Sequence, residues 1–268
     1  MKKSHIRIPH KCGSVILSKI IREACEKSKV KFEDLHWDTP SPQENPEEYL
    51  CSFSRRLDHE NIGFKWNKKN KDKYLFVIRH PISRLISAYY SFGWTHGTKA
   101  SWIKDPKKRK KREKKMLEKR KKIQSLTLKE YIINSLAKKN TGFGNKSQRI
   151  INKFIEKCVT SPKPNNTLIL PYELFISRPV DFFNEAFRFL ELPIDGQYIL
   201  KEYKDEITPV SDSTEKIKKE GLKTHRRSSD IHEWKNKINI EDLLNTTTEK
   251  NRLYINNYLK FLKKFNVT

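Results

Sequence analysis

Acidic residues are scarce in this chain: 32 Asp and Glu stand against 57 Lys and Arg, a formal charge of +25. An excess of that size implies an anionic partner, whether nucleic acid, an acidic membrane surface, an acidic polymer or a polyphosphorylated small molecule. Composition does not choose among these. Cysteine is also sparse. The chain has 4 in 268 residues, and Cys12, Cys25, Cys51 and Cys158 show neither CxxC spacing nor a zinc pattern. The sequence therefore predicts free thiols and excludes a disulfide framework. No run of 18 apolar residues occurs, so no membrane span is expected. The opening MKKSHIRIPH has two lysines but no apolar stretch behind them and soon reaches Pro9. No secretory signal is expected, which predicts a cytoplasmic location.

Aromatic side chains, by contrast, are plentiful. With 14 Phe, 10 Tyr and 5 Trp and 35% apolar residues overall, the chain can bury a core despite its 33% charged content. No internal repeat or clean linker is evident, and a single α/β domain over 1–268 is predicted. Residues 4–9 alternate as a short strand, and residues 14–27 place Ile16, Leu17, Ile20, Ile21 and Ala24 at helical spacing. Further strands are read at 30–37 and 49–53. The run 74–78, YLFVI, has the unbroken apolar character of a strand in a buried parallel sheet, as does TLIL at 167–170. Helices are read from Ser83, from the capping-box pair Thr127 and Glu130, after Ser147, from Pro179 to 192, and in the region from Trp234 through Phe261. Residues 211–233 read as a surface loop. The stretch 104–122 holds 13 Lys and Arg against 3 Asp and Glu, a net +10, and reads as a basic helical insertion.

Three constellations carry chemistry. His10-Lys11-Cys12-Gly13-Ser14 lies between a strand and a helix, where backbone N–H groups and the positive helix end converge on one point and Gly admits an anion to the backbone. It is not a GxxxxGK[ST] loop, and an ordinary βα turn with a surface lysine is the plain alternative. Arg79 follows the YLFVI strand, with Ser87 eight residues on. The two lie about two turns apart on one helical face, or the spacing brings a strand-end arginine over the following helix. A guanidinium fork and a hydroxyl suit a phosphate, although Arg84 could serve instead, and a strand-end arginine is commonly just a surface residue. Arg226-Arg227-Ser228-Ser229, ahead of Trp234-Lys235-Asn236, offers two cations and two hydroxyls on a loop that could wrap an anion or simply be solvated.

In order and spacing, Lys11-Cys12-Gly13-Ser14, Arg79 with Ser87, and Arg227 with Trp234-Lys235-Asn236 resemble the sulfotransferases that use 3′-phosphoadenosine 5′-phosphosulfate (PAPS). The resemblance touches roughly residues 5–27, 74–92, 167–193 and 222–237. It implies a P-loop-like three-layer fold, with a central, mainly parallel sheet flanked by helices. It further implies PAPS as donor, 3′-phosphoadenosine 5′-phosphate (PAP) as product and no metal. Under it, Lys11, Cys12, Gly13, Ser14 and Val15 hold the 5′-phosphosulfate, Arg79 and Ser87 hold the 3′-phosphate, and Arg226, Arg227, Ser228 and Ser229 close over the nucleotide. Ile16 stands where the family often carries a Trp, and Arg227-Ser228-Ser229 where it carries Arg-Lys-Gly.

The family's chemistry implies that Lys11 supports the charge on the leaving phosphate, and that a His or Glu takes the acceptor's proton. His59, 20 residues before Arg79, is the first candidate for that base, with Asp58, Glu60, His36 and His96 as alternatives. The expected acceptor is a hydroxyl or amine of a carbohydrate, lipid or small molecule, and the basic stretch suits one that is anionic. The competing reading is a nucleic-acid or polyanion-binding protein, suggested by the Lys-rich stretch with Trp94 and Trp102 nearby. The absence of a nucleic-acid fold signature argues against it.

Overall fold

Short β-rich runs separated by amphipathic helices should build a parallel sheet, because each parallel crossover needs a long, usually helical connection. A computed structural model describes residues 4–35, 50–54, 72–95, 97–101, 103–136, 146–207 and 238–267. Strands β1 (Ser4–Arg7), β2 (Lys31–Leu35), β3 (Leu50–Ser54), β4 (Lys73–Ile78) and β5 (Thr167–Pro171) form one sheet in the order β2-β3-β1-β4-β5. All four ladders are parallel. The helices are α1 (Ser14–Lys27), α2 (Pro81–Tyr90), which runs on into a π-helical turn at Ser91–Thr95, α3 (Pro106–Gln124), α4 (Leu128–Leu136) and α5 (Lys146–Thr160). They continue with α6 (Tyr172–Ser177), α7 (Pro179–Leu190), α8 (Gly196–Ile207), α9 (Ile240–Thr246) and α10 (Glu249–Lys263).

The chain divides into two compact units, one formed by Met1–Pro81, Lys146–Thr208 and Arg252–Thr268, the other by Ile82–Asn145 and Pro209–Asn251. In the first unit, alternation along the strands sends Phe76, Ile78 and Ile169 to one face of the sheet. There they meet Ile151, Phe154, Ile155 and Cys158 of α5 and Tyr254, Tyr258, Phe261 and Leu262 of α10. Helix α1 lies against β2, and α7 against β4 and β5. A parallel sheet covered by helices is the architecture implied by the unbroken apolar runs of β4 and β5.

The chain leaves β1 toward β2 and β3 on one side and returns to β4 and β5 on the other, so the winding reverses between β1 and β4. In open α/β sheets the crevice beyond the strand C-termini at such a reversal is where ligands bind.

In the second unit, α3 is almost wholly exposed, with Ile123 its one buried residue. It carries 12 Lys and Arg against 2 Glu. Self-repulsion on such a helix is offset at its ends. The Asp105 carboxylate caps the N-terminus, accepting from the Lys107 and Lys108 N–H groups at 2.8 and 3.1 Å, and Lys121 and Lys122 lie in the last turn, where the helix dipole favours cations. The inner side is tied down by Arg109 Nε donating to the Ile103 carbonyl and Glu113 accepting from the Ala100 N–H, both at 2.8 Å. The capping box read at Thr127 forms: Glu130 accepts from the Thr127 N–H at 2.7 Å, and Thr127 Oγ1 accepts from the Glu130 N–H at 3.2 Å. The Thr127 N–H and the Thr127 hydroxyl, which donates to the same carboxylate oxygen at 2.8 Å, hold the Glu130 carboxyl below its ordinary value.

Candidate functional site

Three strand ends on the first unit supply the site. After β1 the chain turns tightly, with the Cys12 N–H donating to the Pro9 carbonyl at 3.1 Å. Lys11 and Gly13 both adopt positive φ, at 71° and 80°. Gly13 is the N-cap of α1 and makes no side-chain capping bond; its carbonyl accepts from the Leu17 N–H at 3.0 Å. The first-turn amides, starting with those of Ser14 and Val15, therefore have no partner within the helix, and no acidic residue occupies that turn. A helix end of this kind attracts an anion. Ser14 is buried and Val15 exposed beside it.

After β4 comes Arg79, and after β5 come Tyr172 and Glu173. Arg79 Nη1 donates to the Lys11 carbonyl at 3.2 Å, and its guanidinium lies over the Tyr172 ring at 4.7 Å. The same ring closes off Gly13 from behind: a Cβ built there would sit 2.6 Å from Tyr172 Cε2. Gly13 is thus required both by its backbone angle and by this close approach. Arg79 keeps a buried Nε–H with no partner, so the guanidinium is fixed on one side and retains donor capacity on the other. Glu173 is 3% exposed, and it accepts from the His80 N–H and the Tyr258 hydroxyl, each at 2.8 Å. Burial pushes the Glu173 carboxyl up against the opposing pull of these bonds and Arg79. Burial likewise raises the Tyr172 phenol, with Arg79 working the other way.

The family model described as "Sulfotransferase family" matches residues 6–165, more than half of the chain. The chain belongs to the sulfotransferase family. Among solved structures it is similar to mouse sulfotransferase SULT7A1 complexed with PAP, with a TM-score of 0.53, 10% sequence identity, and coverage of 94% of this chain and 88% of that one. At that identity the likeness is one of fold, and it agrees with the P-loop-like α/β architecture expected from the sequence. No curated protein sequence matches the chain.

In this sulfotransferase, the first unit brings Lys11, Cys12, Gly13, Ser14 and Arg79 together at the C-terminal ends of β1 and β4. Cys12 is fully buried, so only its backbone can face a ligand. Arg79 precedes α2, which excludes the reading that places it on one helical face with Ser87. Ser87 is half-buried on α2 and belongs to the second unit. Arg84, the alternative arginine, is fully buried there, where its charge pulls against the rise of the Tyr131 phenol, which burial carries to about 12. His59, with Asp58, Glu60, His36 and His96, lies outside the described residues, as do Arg226, Arg227, Ser228, Ser229 and Trp234.

Tyr172, Glu173, His80 and Tyr258 are site residues that the motifs do not contain. Pro171-Tyr172-Glu173 follows an apolar strand just as Arg79-His80-Pro81 does, and a polar residue at the C-terminal end of a buried strand is the signal that could have found the first three. Nothing local marks Tyr258. Among the described residues no group of His, Cys, Asp and Glu could hold a metal ion, and no helix is long and apolar enough to cross a membrane.

Proposed function

We propose that this sulfotransferase moves a sulfuryl group from PAPS to a hydroxyl or amine of a carbohydrate, lipid or small molecule, releasing PAP. The observation that carries the reading is the bond from Arg79 to the Lys11 carbonyl. It couples a cation at the end of β4 to a glycine-pinched loop and an uncapped helix at the end of β1, a pairing suited to a nucleotide with phosphates at two positions. The orphaned Arg79 Nε–H and the left-handed turn that Gly13 allows at the start of α1 fit such a ligand.

PAPS supplies an activated sulfuryl group whose leaving group is a phosphate. Lys11 lies beside the first-turn amides of α1, where its ammonium would support charge on that phosphate while Ser14 and the amides orient it. Arg79 would hold the 3′-phosphate, with Ser87 contributing a hydroxyl. The acceptor's oxygen or nitrogen forms the new bond to sulfur, its proton passes to the base, and the electrons of the broken S–O bond go to the phosphate. The role of base falls to His59, and Arg226, Arg227, Ser228 and Ser229 would close over the nucleotide.

On the second unit, Phe92, Gly97, Thr98, Arg112, Lys115, Met116 and Lys119 line a cavity of about 210 Å³. Lys119 sits 4.2 Å from the centre of the Phe92 ring, and burial together with Arg112 lowers its ammonium below the ordinary value. Cations crowded in this way favour an anionic group among them, which supports an anionic acceptor. The same helix favours a second reading, a polyanion-binding protein.

Calorimetric titration with PAP, 5′-AMP and ATP separates the two readings. Binding that requires the 3′-phosphate and weakens about ten- to hundredfold in Arg79→Ala, the worth of a charge-assisted contact, supports the enzyme. Equal, salt-sensitive binding of all three, indifferent to Arg79, would replace it with the polyanion reading.

A further inference from the structure

The sulfotransfer reading leaves unused one buried titratable group close beneath the nucleotide site. Glu173 receives bonds from two elements: Oε1 from the His80 N–H, in the residue following Arg79, and Oε2 from the hydroxyl of Tyr258 on α10. That hydroxyl also lies 3.2 Å from the carbonyl of Ile78, the last residue of β4. Tyr258 has one proton and faces two acceptors. The Ile78 carbonyl has a donor besides Tyr258: Pro171 carries no N–H, so the parallel pairing of Ile78 with Pro171 runs through the Tyr172 N–H onto that carbonyl. The Tyr258 proton is therefore free for Glu173, the nearer of its two acceptors, and Glu173 takes one hydrogen bond from each of two distant elements. Arg79 acts on Glu173 through its charge, while its Nη1 is committed to Lys11.

We propose that Glu173 is a positioning residue of the nucleotide site, hydrogen-bonded between His80 and Tyr258 so that the turn bearing Arg79, and through Arg79 the Lys11 loop, is held in its binding geometry. Glu173 touches neither the loop nor any bound group directly; it acts through Arg79. The neighbouring Tyr172 carries the guanidinium on its ring and backs Gly13, so this short segment after β5 supports both halves of the cradle. The groups facing Glu173 are Arg79 from the end of β4, the buried His80 imidazole, edge-on to the Tyr258 ring at 5.5 Å, Tyr258 from α10, Tyr172 beside it, and Cys12 and Tyr254, which act on the two phenols. Its role in the cradle rests on the nucleotide reading above.

Three variants test it. Glu173→Gln keeps an acceptor for the His80 N–H and a polar partner for Tyr258, whereas Glu173→Leu keeps bulk and loses both. Tyr258→Phe removes only the hydroxyl. The expected result is PAP affinity within about twofold of wild type for the Gln variant and about tenfold weaker for the Leu and Phe variants, with 5′-AMP affected less than PAP. A purely structural glutamate would lower the melting temperature of the Leu variant and leave the affinity of its folded form unchanged. That result, or a Gln variant as weak as Leu, overturns the proposal. If Glu173→Leu does not fold, unchanged PAP affinity in Tyr258→Phe overturns it. A second arm needs no nucleotide. A carboxyl raised above its unfolded value of 4.5 contributes stability at low pH that is lost as pH climbs through the folded value. Wild type should therefore lose stability relative to Glu173→Gln as pH rises from about 4.5. Should wild type fail to select PAP, the nucleotide reading fails by itself, and melting temperatures of the Leu and Phe variants equal to that of wild type would sink the His80–Glu173–Tyr258 bonds as well.

Discussion

Replacing Gly13 by alanine should be among the most damaging single-methyl additions to this protein, and its cost can be worked from two separate causes. Gly13 sits at φ 80° and ψ 14°, a left-handed conformation that costs a residue with a Cβ about 1–2 kcal/mol. The new methyl would also lie 2.6 Å from Tyr172 Cε2 and 3.0 Å from Cδ2, with Leu17 Cδ1 at 3.4 Å. Tyr172 cannot swing aside without leaving Arg79, so the overlap costs about 1–3 kcal/mol, as overpacking does elsewhere. Reduced freedom of the unfolded chain returns about 0.4–1 kcal/mol. The net loss is about 2–4 kcal/mol, or roughly 5–15 °C in melting temperature for a chain of this size.

Thermal unfolding followed by circular dichroism reads this directly. Gly97→Ala is the control, because a Cβ there meets nothing within 4 Å, and it should stay within about 0.5 kcal/mol of wild type. The double variant Gly13→Ala with Tyr172→Leu divides the two causes. Relief of the overlap should appear as a coupling of about 1–3 kcal/mol while the backbone strain persists. If Gly13→Ala behaves like Gly97→Ala, the loop is not close-packed against Tyr172, and the case for a preformed phosphate cradle falls with it.

Gly196→Ala should destabilise by about 1–3 kcal/mol in chemical denaturation, because a Cβ there would lie 2.5 Å from the Val180 carbonyl oxygen, a backbone atom held within α7. All four cysteines are buried, and burial pushes the Cys158 thiol far up, so a thiol reagent such as Ellman's should titrate the native protein slowly and the denatured protein promptly to four equivalents. The double charge reversal of Lys115 and Lys119 to Glu should lower the salt needed to elute the protein from a sulfated-polysaccharide column, and an unchanged elution point would remove α3 as an anion-attracting surface.

Where a residue's role is imposed by its immediate neighbours in sequence, it is legible without the fold. The apolar run 74–78 announces β4 and so places Arg79 at a strand end; Lys11-Cys12-Gly13-Ser14 between an alternating run and an amphipathic one announces a turn into a helix; Thr127 and Glu130 name their own capping box. Helices α6 and α8 leave no such mark. The first has only six residues, and the second buries Ile199 and Tyr203 amid charged neighbours, too sparse a stripe to stand out. Ser147 points to the start of a helix that begins at Lys146, an offset within the usual uncertainty of helix ends.

The support beneath the site belongs to a different class. Glu173 is 93 residues from His80 and 85 from Tyr258, and Tyr258 is 180 from Ile78. No periodicity can relate such positions, since the relation exists only once the parallel order β1-β4-β5 has set three strand ends side by side. The division follows from how the two kinds of group act. A phosphate is gripped by local devices, a helix end, a glycine and a lysine in one short loop, which leave a motif. Holding those devices in register takes buried hydrogen bonds between distant segments, each identifiable only by its partner. A motif can therefore be intact in a chain whose site no longer binds, and the substitutions that would produce that state in this protein are at Tyr172, Glu173 and Tyr258, none of which the motif contains.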